Sequence, residues 1–338
     1  MELSFSLIIP VYNRPEEIKE LLDSLVKQNY KLPFEIVIVE DGSTLPSEEI
    51  IQNFKNQLDI SYYTKKNSGP GDSRNYGMHR ARGNYFIVLD SDCTLPSQYL
   101  TEVQKVLSDN FVHCFGGPDA AHESFSLVQK AINYTMTSVF TTGGIRGNKN
   151  AVGKFQPRSF NMGISQTAFQ DTGGFGYIHP GEDPDLTFRL WKKGYETKLI
   201  PEAFVFHKRR IDWTKFYKQV HKFGMVRPIL NQWHPKTAKS TYWFPTLYCI
   251  GFIVSVLLSF KGIVAPIWFY AFYVGIIFID SLLKNRSVAV ALLSLLSLKI
   301  QFIGYGFGFL KSTIKLKLSN KKPEEIFPNL FFKTNTTV

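Results

Sequence analysis

Cysteine is scarce. Three in 338 residues (Cys93, Cys114, Cys249), none in a C-x-x-C pair, exclude a disulfide framework and a zinc knuckle and fit a reducing compartment. No G-x-G-x-x-G follows the first apolar run and no G-x-x-x-x-G-K-[ST] occurs anywhere, which sets aside dinucleotide enzymes and P-loop nucleotidases. The N-terminal residues lack the basic stretch of a cleaved secretory signal, so the expectation is that they stay in the cytoplasm. Acidic residues are sparse only toward the C-terminus. Residues 1–203 hold 20 basic and 24 acidic side chains, so the formal charge of +11 arises wholly beyond them. What the chain has in quantity is apolar residues, 44% of the total, enough for one large domain and an appendage.

The apolar residues come in a β-α-β pattern. Residues 4–11 form a short β-branched run, and Ile18, Leu21, Leu22, Leu25 and Val26 then recur at the spacing of one buried helix face. Asn13 is the expected N-cap of that helix, with Pro15, Glu16 and Glu17 in its first turn. Strands are predicted at 34–39, 60–64 and 85–89, with helices near 48–54, 72–81, 96–107 and 186–193. This alternation predicts an α/β fold with a mostly parallel, Rossmann-like sheet. Ligands bind such sheets outside the carboxyl ends of the strands. Asn13, Asp41 and Asp90-Ser91-Asp92 all fall at those ends, so the active site is expected there.

Beyond Ser240 the composition changes. Residues 244–260 and 263–283 are apolar runs long enough to cross a hydrocarbon core, and 288–310 is a third, interrupted by Lys299, Gln301 and three glycines. Lys236, Lys239, Lys284 and Arg286 flank the first two runs and put the N-terminal domain on the cytoplasmic face of the cell inner membrane, in a multi-pass arrangement. Lysines 311, 315, 317, 321 and 322 prefer the same face, which calls for an even number of crossings and leaves 288–310 either spanning or re-entrant. The predicted organisation is a catalytic domain over 1–207, a basic aromatic segment over 208–240, membrane helices over 241–312 and a basic tail over 313–338. The basic aromatic segment reads as a partner of lipid headgroups and not of nucleic acid, because membrane runs follow it directly.

An isolated D-x-D is most simply a polar turn, yet at a strand end it can present two carboxylates to one hard cation. Its company makes it specific. Ser6-Leu7-Ile8-Ile9-Pro10-Val11-Tyr12-Asn13-Arg14, Ile38-Val39-Glu40-Asp41-Gly42-Ser43, Gly71-Asp72-Ser73-Arg74-Asn75-Tyr76-Gly77 and Leu89-Asp90-Ser91-Asp92 resemble, in order, the motifs of family 2 glycosyltransferases with the GT-A fold. The resemblance implies that Pro10, Tyr12, Asn13 and Asp41 line the nucleotide pocket and that Arg74 lies near its phosphates. It also implies that Asp90 and Asp92 hold Mg or Mn. Gly173-Gly174-Phe175-Gly176 and Gly181-Glu182-Asp183-Pro184-Asp185 look like the family's glycine-aromatic loop and its E-D motif, so Phe175 and Glu182 join the substrate-binding set and Asp183 matches the catalytic base. Locally, Asp183 and Pro184 also read as the N-cap and first position of a helix. His207 resembles a histidine that approaches the metal or diphosphate, and reads equally as an ordinary surface residue.

The function implied is an inverting, metal-dependent hexosyl transfer from a nucleotide diphosphate sugar, UDP by default, to a hydroxyl on a glycan or lipid-linked acceptor in bacterial glycan or polysaccharide biosynthesis. Gln232-Trp233-His234-Pro235 stands where processive synthases carry Q-x-x-R-W, and the departure favours single transfer. The alternatives are a polyprenyl-phosphate glycosyltransferase and, in another class, a non-catalytic membrane scaffold of degenerate transferase fold.

Overall fold

The computed structural model describes residues 2–120, 125–142, 154–207 and 212–332, with backbone alone at His207. Packing divides the chain into two units. Met1–His122, Arg146–Lys208 and Phe331–Val338 form the first, and Glu123–Ile145 with Arg209–Leu330 form the second.

The first unit opens with the predicted alternation: β1 (Phe5–Val11), α1 (Pro15–Val26), β2 (Glu35–Asp41), α2 (Glu48–Gln52), β3 (Asp59–Lys65), α3 (Pro70–Arg80) and β4 (Tyr85–Leu89). Then come β5 (Cys93–Thr94), α4 (Tyr99–Asp109), β6 (Cys114–Gly116) and β7 (Asp119–Ala120). The chain passes to the second unit through α5 (Leu127–Thr137) and α6 (Val139–Thr142). It returns as β8 (Asn161–Ser165), α7 (Gln166–Thr172), α8 (Glu182–Lys192), β9 (Thr197–Leu199) and β10 (Val205–His207).

Seven strands form the main sheet in the order β3-β2-β1-β4-β8-β6-β9, and β5-β10-β7 form a small second one. β3, β2, β1 and β4 are parallel, and β8 pairs antiparallel to β4. Strand alternation builds both faces of the core. Phe5, Leu7, Ile9 and Val11 point with Ile87 and Leu89 into one apolar cluster, while Ile8, Val37, Val39, Phe86 and Val88 point into the other. Because the order reverses between β1 and β4, their carboxyl ends are the switch point at which a doubly wound sheet usually binds its ligand.

Two capping expectations are corrected. Asn13 does not cap α1: it sits at φ 54°, and Arg14 occupies the N-cap position without a side-chain hydrogen bond. The Asn13 Oδ1 instead accepts from the Thr44 and Leu45 amides at 2.7 and 3.0 Å, a contact across two strands that outcompetes a local cap. Likewise Gly181, at φ 119°, is the N-cap of α8, and Asp183 stands inside the first turn.

In the second unit α9 (Trp213–Trp233), α10 (Phe244–Ser259), α11 (Ala265–Asn285), α12 (Val288–Lys317) and α13 (Pro323–Ile326) follow one another. Three helical stretches, Ser240–Ser259, Ala265–Asn285 and Val288–Lys317, are long and apolar enough to cross a membrane. Glycines do not interrupt α12 as their number suggested. Gly304 and Gly308 let α9 approach its backbone: a Cβ on Gly308 would lie 2.3 Å from the His221 carbonyl oxygen.

Candidate active site

The carboxyl ends of β1, β2 and β4 carry the polar groups that end each apolar run. At the end of β2, Asp41 is buried and its carboxylate is fully engaged. Oδ1 accepts from Lys65 Nζ at 2.7 Å and the Ser68 amide at 3.0 Å, and Oδ2 accepts from the Gly69 amide at 2.9 Å. Asp41 thereby holds the loop from β3 to α3 over the strand ends. Pro10 lies in β1, and Tyr12, 52% exposed, projects from the turn after it. Asn13 joins that turn to the one after β2.

Arg74, on α3 and nearly fully buried, is the centre of the site. One guanidinium nitrogen donates to Asp90 Oδ1 at 2.9 Å and the other to Glu182 Oε1 at 3.0 Å. This fork spans two motifs separated by 92 positions in the numbering of Asp90 and Glu182, and a lysine could not match it in planarity. Beneath it the ring of Phe175 lies 5.2 Å from the guanidinium carbon. The Phe175 loop is held in turn by Asn75, whose side chain accepts from the Phe175 amide and donates to its carbonyl, both at 2.8 Å. Gly71 permits the close approach: a Cβ there would meet the Gly176 carbonyl oxygen at 2.9 Å. Phe175, expected among the substrate-binding residues, is thus buried as the support of Arg74.

Glu182 is buried. Burial alone would raise its pKa, but His179 at 3.2 Å and Arg74 outweigh that and bring it down to about 2. Asp183 beside it behaves oppositely. Burial pushes its pKa above the usual 3.8, Arg158 opposes the shift, and the charge on Glu182 adds to it. A helix N-terminus is therefore not what sets its protonation, since burial is the larger effect. Arg158 donates to Asp183 Oδ2 at 3.3 Å, and its buried Nε has no hydrogen-bond partner among the described residues.

After β4, Asp90 and Asp92 offer two hard oxygen donors. Asp90 carries Arg74, and Asp92 accepts from Arg14 at 2.5 Å. No cluster of three or more His, Cys, Asp or Glu side chains able to hold a metal occurs among the described residues. The donor set nevertheless suits Mg or Mn, which take one or two carboxylates and complete their shell with phosphate and water. The backbone of His207 pairs with Cys93, one residue beyond Asp92. Its side chain, like Lys208, Arg209 and Arg210, lies outside the described residues.

The structure thus joins Asp90, Arg74 and Glu182 by hydrogen bonds, with Asp183 following Glu182 in α8. It adds Arg14, Lys65, Arg158 and His179, which the motifs did not single out. Arg14 alone left a sequence signal, as the cation closing the first strand motif.

Fold and site together define a GT-A transferase architecture. A mannosyltransferase of Pyrobaculum calidifontis, solved with GDP-Man and Mn2+, superposes with a TM-score of 0.57 over 94% of this chain and 88% of that one, at 15% identity. Residues 6–171 match the family model Glycosyl transferase family 2. Poly(ribitol-phosphate) beta-N-acetylglucosaminyltransferase TarS of Staphylococcus aureus is 33% identical over 111 residues, which are 32% of this chain and 19% of that protein. Glycosyltransferase GlyA of Streptococcus pneumoniae is 38% identical over 102 residues, 30% of this chain and 14% of that one. The match therefore spans less than a fifth of these relatives.

Proposed function

We propose that the protein is a membrane-bound glycosyltransferase of the cell inner membrane with its catalytic domain in the cytoplasm. It moves a sugar, with inversion, from a nucleotide diphosphate sugar to a hydroxyl on a glycan or lipid-linked acceptor. The observation that carries this reading is the Arg74 fork, which ties Asp90 of the D-x-D to Glu182, the residue before Asp183. The relatives are glycosyltransferases by their names, the solved mannosyltransferase holds GDP-Man, and UDP is the donor nucleotide we favour.

Pro10, Tyr12, Asn13 and Asp41 frame the nucleotide end of the crevice, with Tyr12 exposed to stack on a base. Asp90 and Asp92 would hold Mg or Mn. When bound, the ion offsets diphosphate charge and makes the nucleotide a better leaving group. Asp183 accepts the proton of the acceptor hydroxyl as that oxygen attacks the anomeric carbon, and a single displacement inverts the configuration. Arg158 orients the Asp183 carboxylate through its 3.3 Å contact. One base suffices, unlike the paired carboxylates of glycoside hydrolysis.

The test is nucleotide diphosphate release by the purified full chain over UDP-, GDP- and dTDP-sugars with a membrane lipid extract, with Mn, Mg or chelator. Release from one donor that needs the cation, and that falls by about 10²–10⁴ in Asp183→Asn, is expected. Asp92→Asn abolishes it as well. Release surviving in Asp183→Asn alone moves the acceptor to a lipid phosphate, and failure to bind any nucleotide sugar leaves the scaffold reading.

A further inference from the structure

The end of the chain folds back onto the unit from which the apolar helices depart. Phe331 bridges Ile178 in antiparallel fashion, and the Phe332 amide donates to the Tyr177 carbonyl at 3.0 Å. The Phe332 ring fills the space against Gly69, where a Cβ would lie 2.3 Å from it, and packs 5.7 Å from the His179 ring. The first-unit residues that precede α9 and the tail from Phe331 therefore belong to one folded body. A body on one side of a bilayer requires an even number of crossings between them, and three apolar helices offer an odd one.

Which helix stays on the near side follows from contacts within the second unit. The excursion Glu123–Ile145 leaves the first unit and returns to it, and is too short to cross and come back, which takes about 40 residues of helix. Its Tyr134 hydroxyl donates to Asp280 at 2.7 Å and to the Ile277 carbonyl at 3.2 Å, so the C-terminal end of α11 lies on the near side. α10 and α11 then form an out-and-back hairpin whose turn, at Lys261 and Gly262, is on the far side.

α12 differs from both. It runs parallel with α9: Ile300 packs in the cluster of Phe216 and Val220, Gly304 against Tyr217 and Val220, Gly308 against His221 and Met225. α9 exposes Lys215, Lys218 and Lys222 along this same length, which excludes it from hydrocarbon. The exposed face of α12 is an apolar stripe of Leu292, Leu296, Ile303, Phe307 and Ile314 at helical spacing. Exposed lysines border it on both edges, Lys299 and Lys317 on one and Lys311 and Lys315 on the other. A spanning helix keeps its lysines at its ends, whereas a helix lying in the headgroup plane flanks its apolar stripe with them.

The geometry points to two crossings, α10 and α11, with α9 and α12 paired in the plane of the lipid headgroups on the catalytic face. This rests on the membrane reading above. The test uses the full chain in a Cys249→Ala background, Cys93 and Cys114 being buried. Lys261→Cys and Asn320→Cys, both exposed positions, are treated with a membrane-impermeant maleimide in intact cells and in inside-out vesicles. Lys261→Cys labelling only in cells and Asn320→Cys only in inside-out vesicles is expected. Asn320→Cys labelling in intact cells means three crossings and overturns the proposal. Lys261→Cys shielded from the outside means a hairpin that does not cross, and overturns it as well. Alkaline carbonate extraction separates the two levels: release of the protein defeats the membrane reading itself, while retention with the wrong labelling pattern defeats only the topology.

Discussion

Asp183 and Glu182 are adjacent carboxylates with opposite shifts, and that difference sorts their roles. Glu182, held down to about 2, stays charged and serves Arg74. Its depressed pKa contributes stability that is present above its ordinary value of 4.5 and is lost as pH falls from there toward 2. Acid unfolding in Glu182→Gln is expected to lose that component, measured as the midpoint of thermal unfolding against pH. As the proposed base, Asp183, raised by burial, must be ionised to accept a proton, so activity is expected to be lost as pH falls through its folded pKa. The acid limb of kcat/KM is expected above the ordinary 3.8, and an unshifted limb would remove Asp183 from the base role. Arg74→Ala strands Glu182 in the interior and is expected to cost about 3–5 kcal/mol in denaturant titration. Arg74→Lys keeps the charge without the fork, so it should recover stability better than activity.

At the scale of elements, the turns after β1, β2 and β4 are held by side chains from other turns. Asn13 spans to residues 44 and 45, and Asp41 to 68 and 69. Asn75 does the same from α3 to the Phe175 loop. Asn75→Ala leaves the Phe175 amide and carbonyl without their partners and is expected to cost about 1–3 kcal/mol by chemical denaturation. Because Phe175 underlies Arg74, donor KM should rise in the same variant. The motifs carrying these residues were legible, since a polar group at a strand end interrupts an apolar run visibly. Their partners were not. Arg158 meets Asp183 across 25 positions and Arg14 meets Asp92 across 78, and no local period marks either pair.

For the molecule as a whole, the chain closes on itself through Phe331 and Phe332, far in sequence from the loops they pack on. Phe332→Ala is expected to lower the stability of the first unit by about 1–2 kcal/mol, read as a fall in its melting temperature in detergent, with nucleotide binding retained. No effect would mean that the tail merely rests there.

The order of strands and helices as far as β4, the clustering of polar groups at the strand ends and the position of the apolar helices were set by sequence alone. Each depends on periodicity and composition within a dozen residues, where side-chain direction follows from backbone geometry. Tertiary structure decided the rest. It made Asn13 a clamp between turns and not a helix cap, set Asp183 inside the first turn of α8 with its pKa raised by burial, and kept α12 continuous through its glycines. It also sent the excursion Glu123–Ile145 to the second unit and returned the tail to the first. These features depend on which groups meet across the folded chain, and desolvation and close backbone contact act only once they have met.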